Sequence, residues 1–133
     1  MFPIQYKLSS SYLEVRETIS KLMSVLKPNI DEVHAGSIEL CLAETLNNVV
    51  EHAYRGQEDQ PIQVTVDTEA YAVRTTITDW GVEKPDPKLC AEDLPAMDLP
   101  EGGFGTSLIE TLSSHRTYER RDNCNITTLW FDQ

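Results

Sequence analysis

A carboxylate, an amide and an imidazole recur at intervals of four residues, at Glu44, Asn48 and His52. Side chains at this spacing lie in one row along a helix. Apolar residues occupy the other side at helical spacing, namely Ile38, Leu42, Leu46, Val49 and Ala53. The pattern predicts a helix that buries one face and displays chemistry on the other. Taken alone, a solvated polar face is the more common explanation of such a row.

A second candidate is the sequence Asp79-Trp80-Gly81, which follows a strand-like run. An aspartate at the end of a strand can point a carboxylate into a pocket, and a glycine two residues later lets the backbone turn close to a ligand. A plain turn explains an isolated motif of this kind more often.

The third candidate is the glycine-rich run Gly102-Gly103-Phe104-Gly105-Thr106, which precedes the apolar residues of a predicted helix. Backbone N–H groups of such a loop and the positive end of the helix dipole suit a phosphate group. A flexible hinge is an equally good explanation of the glycines alone.

The elements that must position these groups can be predicted from periodicity. Helices are predicted at residues 12–26 and 37–54, and serines at 9–11 are candidates to cap the first of them. A strand is predicted at residues 2–8, and two alternating runs around 62–66 and 71–77 predict a hairpin with its turn at 67–70. Strands at 115–120 and 126–131, joined by a turn at 121–125, close the chain.

Residues 82–101 are rich in proline and acidic side chains and show no period of a helix or strand. A connector of this length inside one domain is usually functional or flexible. We therefore expect a mobile lid rather than a linker, within a single domain that spans residues 1–133.

Composition excludes several classes of protein. The chain has 133 residues, 40% hydrophobic and 25% charged, as in ordinary globular proteins. No apolar run approaches the roughly 20 residues of a membrane span, and the first residues lack a signal-peptide pattern, so we expect a cytoplasmic protein without a membrane partner. Three cysteines without metal-like spacing predict reduced thiols. A net charge of −11 argues against direct nucleic-acid binding, although a metal ion and backbone amides could still hold a nucleotide.

Taken in order, the three motifs resemble the N, G1 and G2 boxes of the GHKL ATPases, the Bergerat-fold group that includes gyrase and histidine kinases. The helix text AETLNNVVEHAY, the small size and the ending ITTLWF are similar to the anti-sigma-factor serine-protein kinases of bacterial partner-switching systems. The resemblance covers roughly residues 5–131. It implies an α/β (α+β) two-layer sandwich, with helices on one face of a mixed, mostly antiparallel sheet.

The resemblance also implies roles for individual residues, with ATP and Mg²⁺ as cofactors. Asn48 would bind the Mg²⁺ that bridges the phosphates, and Glu44 would be the general base toward a serine hydroxyl. Asp79 would accept a hydrogen bond from the adenine amino group, with Gly81 allowing close approach. The remaining nucleotide contacts would come from Gly103, Phe104, Gly105 and Thr106 at the phosphates and from Thr127 or Thr128 at the adenine. His52 would either reach a phosphate or lie outside the site.

Two functions follow from the resemblance. In the first, the chain is an ATP-dependent serine kinase that phosphorylates an anti-sigma-factor antagonist protein and sequesters a sigma factor or another regulator. In the second, it is a nucleotide-binding regulatory module of the same fold without phosphoryl transfer. Glu44 favours the kinase. The lid, with only Lys84 and Lys88 as cations, favours the module. A generic α/β domain with coincidental motifs is the third explanation, and the resemblance leaves open whether the chain forms a homodimer, as family members often do.

Overall fold

The computed structural model describes residues 3–69, 72–83, 109 and 112–132. Helix α1 spans Tyr12–Leu26, a single 3₁₀ turn follows at Lys27–Asn29, and α2 spans Glu32–Asn48 and continues as a π-helical turn at Val49–Ala53. The strands are β1 (Ile4–Ser9), β2 (Pro61–Glu69), β3 (Ala72–Asp79), β4 (His115–Arg121) and β5 (Cys124–Asp132). None of the helices in this part of the chain combines the length and the hydrophobicity needed to cross a membrane.

The five strands form one sheet in the order β1-β2-β3-β5-β4. Each pairing between described strands is antiparallel, so this sheet is antiparallel rather than mixed. The order inserts the last strand between β3 and β4, which places the start of β5 beside the end of β3. In register terms, Asp79 lies opposite Asn125. The predicted two-layer α+β sandwich is confirmed.

The core lies between the helices and one face of the sheet. Along β3 the burial alternates strictly, with Val73, Thr75, Ile77 and Asp79 on the buried face. The largest fully buried side chains come from both layers: Phe131, Leu22, Leu26, Ile38, Leu42, Leu46, Ile62, Ile77, Leu129, Val64, Val66 and Val73. The apolar stripe predicted for the second helix is therefore the face that the core buries.

The first helix has the predicted bounds, and the Ser11 hydroxyl accepts a hydrogen bond from the Glu14 amide at 3.1 Å. The second helix begins five residues before its predicted start. Asp31 caps it by accepting the His34 amide at 2.9 Å. Gly36, which the predicted start left outside the helix, lies inside it, with nothing within 4 Å of an added Cβ. A good N-cap and an exposed position outweigh the modest cost of one helical glycine.

The hairpin turns are tighter than predicted. Strand β2 continues to Glu69 and β3 begins at Ala72, and β4 and β5 are joined by Asp122 and Asn123 alone. Both of these turn residues have positive φ, 51° and 65°, as a two-residue type I′ turn requires. Because the strands extend further, Asn125 belongs to β5 and not to a turn. Ile109 and Leu112, in the predicted third helix, are helical, and the Ser113 amide donates to the Ile109 carbonyl at 3.0 Å.

Candidate functional site

Asp79 ends β3 on the face of the sheet that packs on the helices, and only 3% of its surface is exposed. Its Oδ1 accepts two hydrogen bonds, from the Gly81 amide at 2.9 Å and from Asn125 Nδ2 at 2.8 Å. Burial raises the pKa of this carboxyl, while the bonds from Asn125 and Gly81 and the charge of Arg120 oppose the rise. A buried carboxyl whose pKa is raised by burial is a candidate functional group.

Gly81 contacts the end of the second helix. A Cβ atom at this position would lie 2.3 Å from the carbonyl oxygen of Ala53 and 2.8 Å from its Cβ. The next amide, of Val82, donates to the same carbonyl oxygen at 2.8 Å. Glycine is therefore required here by the packing of the loop on the π-helical turn, a reason that the sequence alone did not indicate.

The loop at Gly81 and Val82 and the end of the second helix at Ala53 form a corner beside Asp79. Tyr54 joins three elements at this corner. Its hydroxyl accepts a hydrogen bond from the Trp80 amide at 2.8 Å and donates to the carbonyl of Pro61, where β2 begins. Burial is the main cause that raises its pKa. The indole of Trp80, by contrast, is 45% exposed, so this side chain lies outside the core and only its backbone takes part in the corner.

Glu44 and Asn48 lie one turn apart on α2 and are both half-buried. Within the described ranges, neither side chain makes a hydrogen bond or an ion pair. The α-helix ends at Asn48, and the π-helical turn that follows it leads to the Ala53 carbonyl against Gly81. The helix that carries these two side chains thus leads to the loop that contains Gly81.

His52 lies in the π-helical turn that continues α2. The row assumed α-helical winding throughout, whereas i→i+5 bonding in a π-helical turn rotates each residue by a smaller angle. Its side chain is 55% exposed, and Nε2 lies 3.8 Å from Oε2 of Glu51. The structure therefore places His52 on the surface beside an acidic neighbour.

The register distinguishes the two threonines of β5. Thr127 lies opposite Ile77, on the face that carries Asp79, whereas Thr128 lies opposite Thr76, on the other face of the sheet. Side chains alternate between faces along a strand. Thr127, rather than Thr128, can therefore contribute to a site at Asp79.

Several other predicted residues lie outside the described part of the chain. They are the phosphate-loop candidates Gly103, Phe104, Gly105 and Thr106 and the lid lysines Lys84 and Lys88.

The strongest features missed from the sequence are on the β4–β5 hairpin. Asn125 is 3% exposed and bonds Asp79, and Tyr118 and Arg120 in turn bond Asn125. The alternation of Asn125 with Thr127, Leu129 and Phe131 carries a usable signal, because it puts an amide on a core-facing position. Its partner Asp79 is evident only from the strand order.

A separate groove of about 740 Å³ lies between α1 and α2. Its lining includes Tyr12, Arg16, Lys27, Glu39 and Asn47, but none of the predicted site residues. We therefore take the polar corner at Asp79, together with Glu44 and Asn48, as the candidate site.

The sequence profile of the histidine kinase-like ATPase domain matches residues 8–131. Comparison with curated protein sequences gave no match. Among solved structures, the RsbU and RsbW domains of Rv1364c from Mycobacterium tuberculosis superpose with a TM-score of 0.69 at 17% identity, over 99% of this chain and 32% of that one. The chain thus spans about a third of that structure's length.

Two histidine kinases are also similar. The histidine kinase domain of the blue-light activated kinase EL346 from Erythrobacter litoralis gives a TM-score of 0.58 at 17% identity, covering 91% of this chain and 60% of that domain. The catalytic domain of the histidine kinase ThkA gives 0.56 at 15% identity, covering 99% and 97%. At these identities the likeness establishes the fold alone.

Proposed function

The chain belongs to the histidine kinase-like ATPase domain family, and from this premise we propose that it is an ATP-dependent serine kinase of the anti-sigma-factor type. It binds ATP at the corner formed by Asp79, Gly81 and the end of α2. It transfers the γ-phosphate to a serine of an antagonist protein.

The single observation that carries the proposal is the buried Asp79 carboxylate. Asp79 is only 3% exposed, and burial raises its pKa. A charge in such a position contributes little to folding. Both donors bond Oδ1. Oδ2 has no donor among the described residues, so it can accept a hydrogen bond from the exocyclic amino group of adenine. Thr127, on the same face of the sheet, supports the base from β5.

Asn48 and Glu44 serve the other end of the nucleotide. Mg²⁺ prefers oxygen ligands and retains several waters, so one amide oxygen together with phosphate oxygens makes a suitable ligand set. The amide of half-buried Asn48, which makes no hydrogen bond within the described residues, fits that requirement. No group of three or more His, Cys, Asp or Glu side chains that could hold a metal occurs in the described ranges. When bound, the ion neutralises phosphate charge.

Glu44 acts as the general base. Its carboxylate lies one helical turn before Asn48 and makes no bond within the described residues, so it is free to take the proton from the attacking serine hydroxyl. General-base catalysis of this kind contributes roughly 10²- to 10⁴-fold. The remaining rate comes from positioning and charge neutralisation by the phosphate-binding residues, which we propose to be Gly103, Phe104, Gly105 and Thr106. We assign no step to His52.

The partners are proposed from the same fold. Likeness to a structure that contains an RsbW domain supports a partner-switching role, in which the chain phosphorylates an antagonist and holds a sigma factor or another regulator. A cytoplasmic location, a single domain over residues 1–133 and a homodimer belong to this proposal.

A nucleotide-dependent switch without phosphoryl transfer is the second candidate. The observation that favours it is the composition of residues 82–101, where Lys84 and Lys88 are outnumbered by acidic side chains. A lid with this excess of negative charge stabilises the transferred γ-phosphate poorly. The two candidates share the adenine site and differ only in the use of Glu44.

Transfer of radiolabelled γ-phosphate to a candidate antagonist domain separates them. We expect the wild-type protein to label a serine, and Glu44→Gln to bind ATP with unchanged affinity while transfer falls at least about a hundredfold. Glu17→Gln, an exposed carboxylate of α1, is the control and should transfer at the wild-type rate. An unchanged rate in Glu44→Gln would show that Glu44 is not the base, and ATP binding without any transfer would favour the switch.

A further inference from the structure

The amide of Asn125 uses its full hydrogen-bonding capacity. Nδ2 donates to Oδ1 of Asp79 and to the Val82 carbonyl, both at 2.8 Å. Oδ1 accepts from the Tyr118 hydroxyl at 2.5 Å and from Arg120 Nη1 at 3.1 Å. The Asn125 side chain thus donates to two acceptors and accepts from two donors, which is all that an amide can do. It is 3% exposed.

These partners allow only one orientation of the amide. Reversing it would turn the NH₂ group toward the guanidinium of Arg120, which has no acceptor, and would turn the oxygen toward a carboxylate and a carbonyl. Three of the four bonds would be lost or become repulsive, whereas the bond to Tyr118 would persist because its hydroxyl can also accept. The β4–β5 hairpin therefore presents a fixed N–H donor to Asp79.

The fixed donor determines which way the Asp79 carboxylate faces. Its Oδ1 is held between Asn125 Nδ2 and the Gly81 amide, so rotation of the carboxylate would break both bonds. Arg120 secures the same loop by donating to the Gly81 carbonyl at 2.7 Å. Of the two oxygens, Oδ2 is consequently the one presented to a ligand.

We propose that Asn125 is a positioning residue that orients Asp79 toward the nucleotide base and thereby sets the preference for adenine over guanine. This inference rests on the proposed function. Adenine presents an amino donor where guanine presents a carbonyl acceptor. An oriented, ionised Oδ2 accepts from adenine and repels guanine. Without Asn125 the carboxylate can rotate or take up a proton, and the discrimination decreases.

Calorimetric titration with Mg-ATP and Mg-GTP tests the inference. For Asn125→Ala we expect the affinity for ATP to fall about tenfold while the affinity for GTP stays the same or rises, so that the ATP/GTP ratio falls at least about tenfold. Tyr118→Phe removes one of the bonds that hold Asn125 and should lower the ratio about threefold. Thr117→Val, an exposed position on the opposite face of β4, is the matched control and should leave the ratio unchanged.

If Asn125 had a purely structural role, its substitution would lower the affinities for both nucleotides equally. Equal losses of affinity, or an unchanged ATP/GTP ratio, would overturn the inference. If Asn125→Ala fails to fold, Tyr118→Phe decides the question by the same ratio. A wild-type protein that binds neither nucleotide would contradict the proposed function and this inference together. Wild-type binding with an unchanged ratio in the variants would contradict the inference alone.

Discussion

Ionisation of the buried Asp79 carboxyl costs the fold stability. Burial raises its pKa above the ordinary value of 3.8, so between that value and the raised one the folded state binds more protons than the unfolded state. The free energy of unfolding therefore falls as the pH rises through this window. The contribution of Asp79 to stability is fully present below the ordinary value and is lost above the raised one.

Asp79→Asn should separate stability from binding. The amide keeps an oxygen for the Gly81 and Asn125 donors and removes the buried charge, so we expect the variant to be at least as stable as wild type at pH 7. The difference should disappear in acid, where the wild-type carboxyl is neutral. Urea unfolding across pH measures this. Asp67→Asn, which loses an ion pair of 3.1 Å to Arg74, should instead cost up to about 1 kcal/mol. If Asp79→Asn were strongly destabilised, the carboxylate would have a structural role, contrary to this prediction.

Gly81 and Gly36 offer a matched pair of glycine substitutions. Gly81→Ala would place a methyl group 2.3 Å from the Ala53 carbonyl oxygen, and we expect the free energy of unfolding to fall by about 3 kcal/mol. Gly36 lies in α2 with nothing within 4 Å of an added Cβ. Gly36→Ala should therefore raise the free energy of unfolding by about 0.5–1 kcal/mol. Denaturant unfolding of both variants is the test. Equal stabilities would show that the loop does not pack on the helix as described.

At the scale of elements, the π-helical turn makes the corner possible. An i→i+5 turn at the end of α2 brings the Ala53 carbonyl to the Val82 amide and Tyr54 to the Trp80 amide. Such turns are often found at functional sites. The loop after β3 is thereby attached to the helix that carries Glu44 and Asn48.

Tyr54→Phe tests this attachment. The substitution leaves the Trp80 amide and the Pro61 carbonyl without their partner, and we expect a loss of about 2 kcal/mol in the free energy of unfolding. Tyr12→Phe removes an exposed hydroxyl bonded to Glu51 at 2.8 Å, so it should change stability by less than about 0.5 kcal/mol. If thermal or urea unfolding gave the two variants similar losses, the buried phenol would not be what joins these elements.

The existence and type of the described elements were predictable from periodicity, but some of their ends were not. Apolar spacing predicted α1 with its observed bounds, because a serine cap and a proline mark its ends. The early start of α2 depends on the Asp31 cap, and the short β4–β5 turn depends on Asp122 and Asn123 adopting positive φ. Both are local choices that several residue types can make, so pattern alone did not select them.

At the scale of the whole molecule, the strand order creates the site. Asp79 and Asn125 are 46 residues apart in the chain and meet only because β5 lies between β3 and β4. The resemblance carried by the three motifs implied one nucleotide site that includes Glu44, Asn48, Asp79 and Gly81. The sequence could not reveal Asn125 as the partner of Asp79, since no local pattern encodes which strands are neighbours.

Nucleotide binding should stabilise the fold as a whole. A ligand that binds only the folded state at a hundredfold excess over its dissociation constant adds about 2.7 kcal/mol to the free energy of unfolding. We expect Mg-ATP to do so in urea unfolding of the wild-type protein, and to give no such gain in Asp79→Asn. A gain of the same size in that variant would place the nucleotide elsewhere.

Calorimetric titration of the protein with ATP, in the presence and absence of Mg²⁺, tests the central claim most directly. The account predicts binding that is much stronger with the metal in the wild-type protein. Binding should be abolished or greatly weakened by Asn48→Ala, and lost in Asp79→Asn. Glu17→Gln should titrate as wild type. Wild-type titration curves from both Asn48→Ala and Asp79→Asn, or no heat of binding from the wild-type protein, would contradict the claim that the nucleotide binds between α2 and the end of β3.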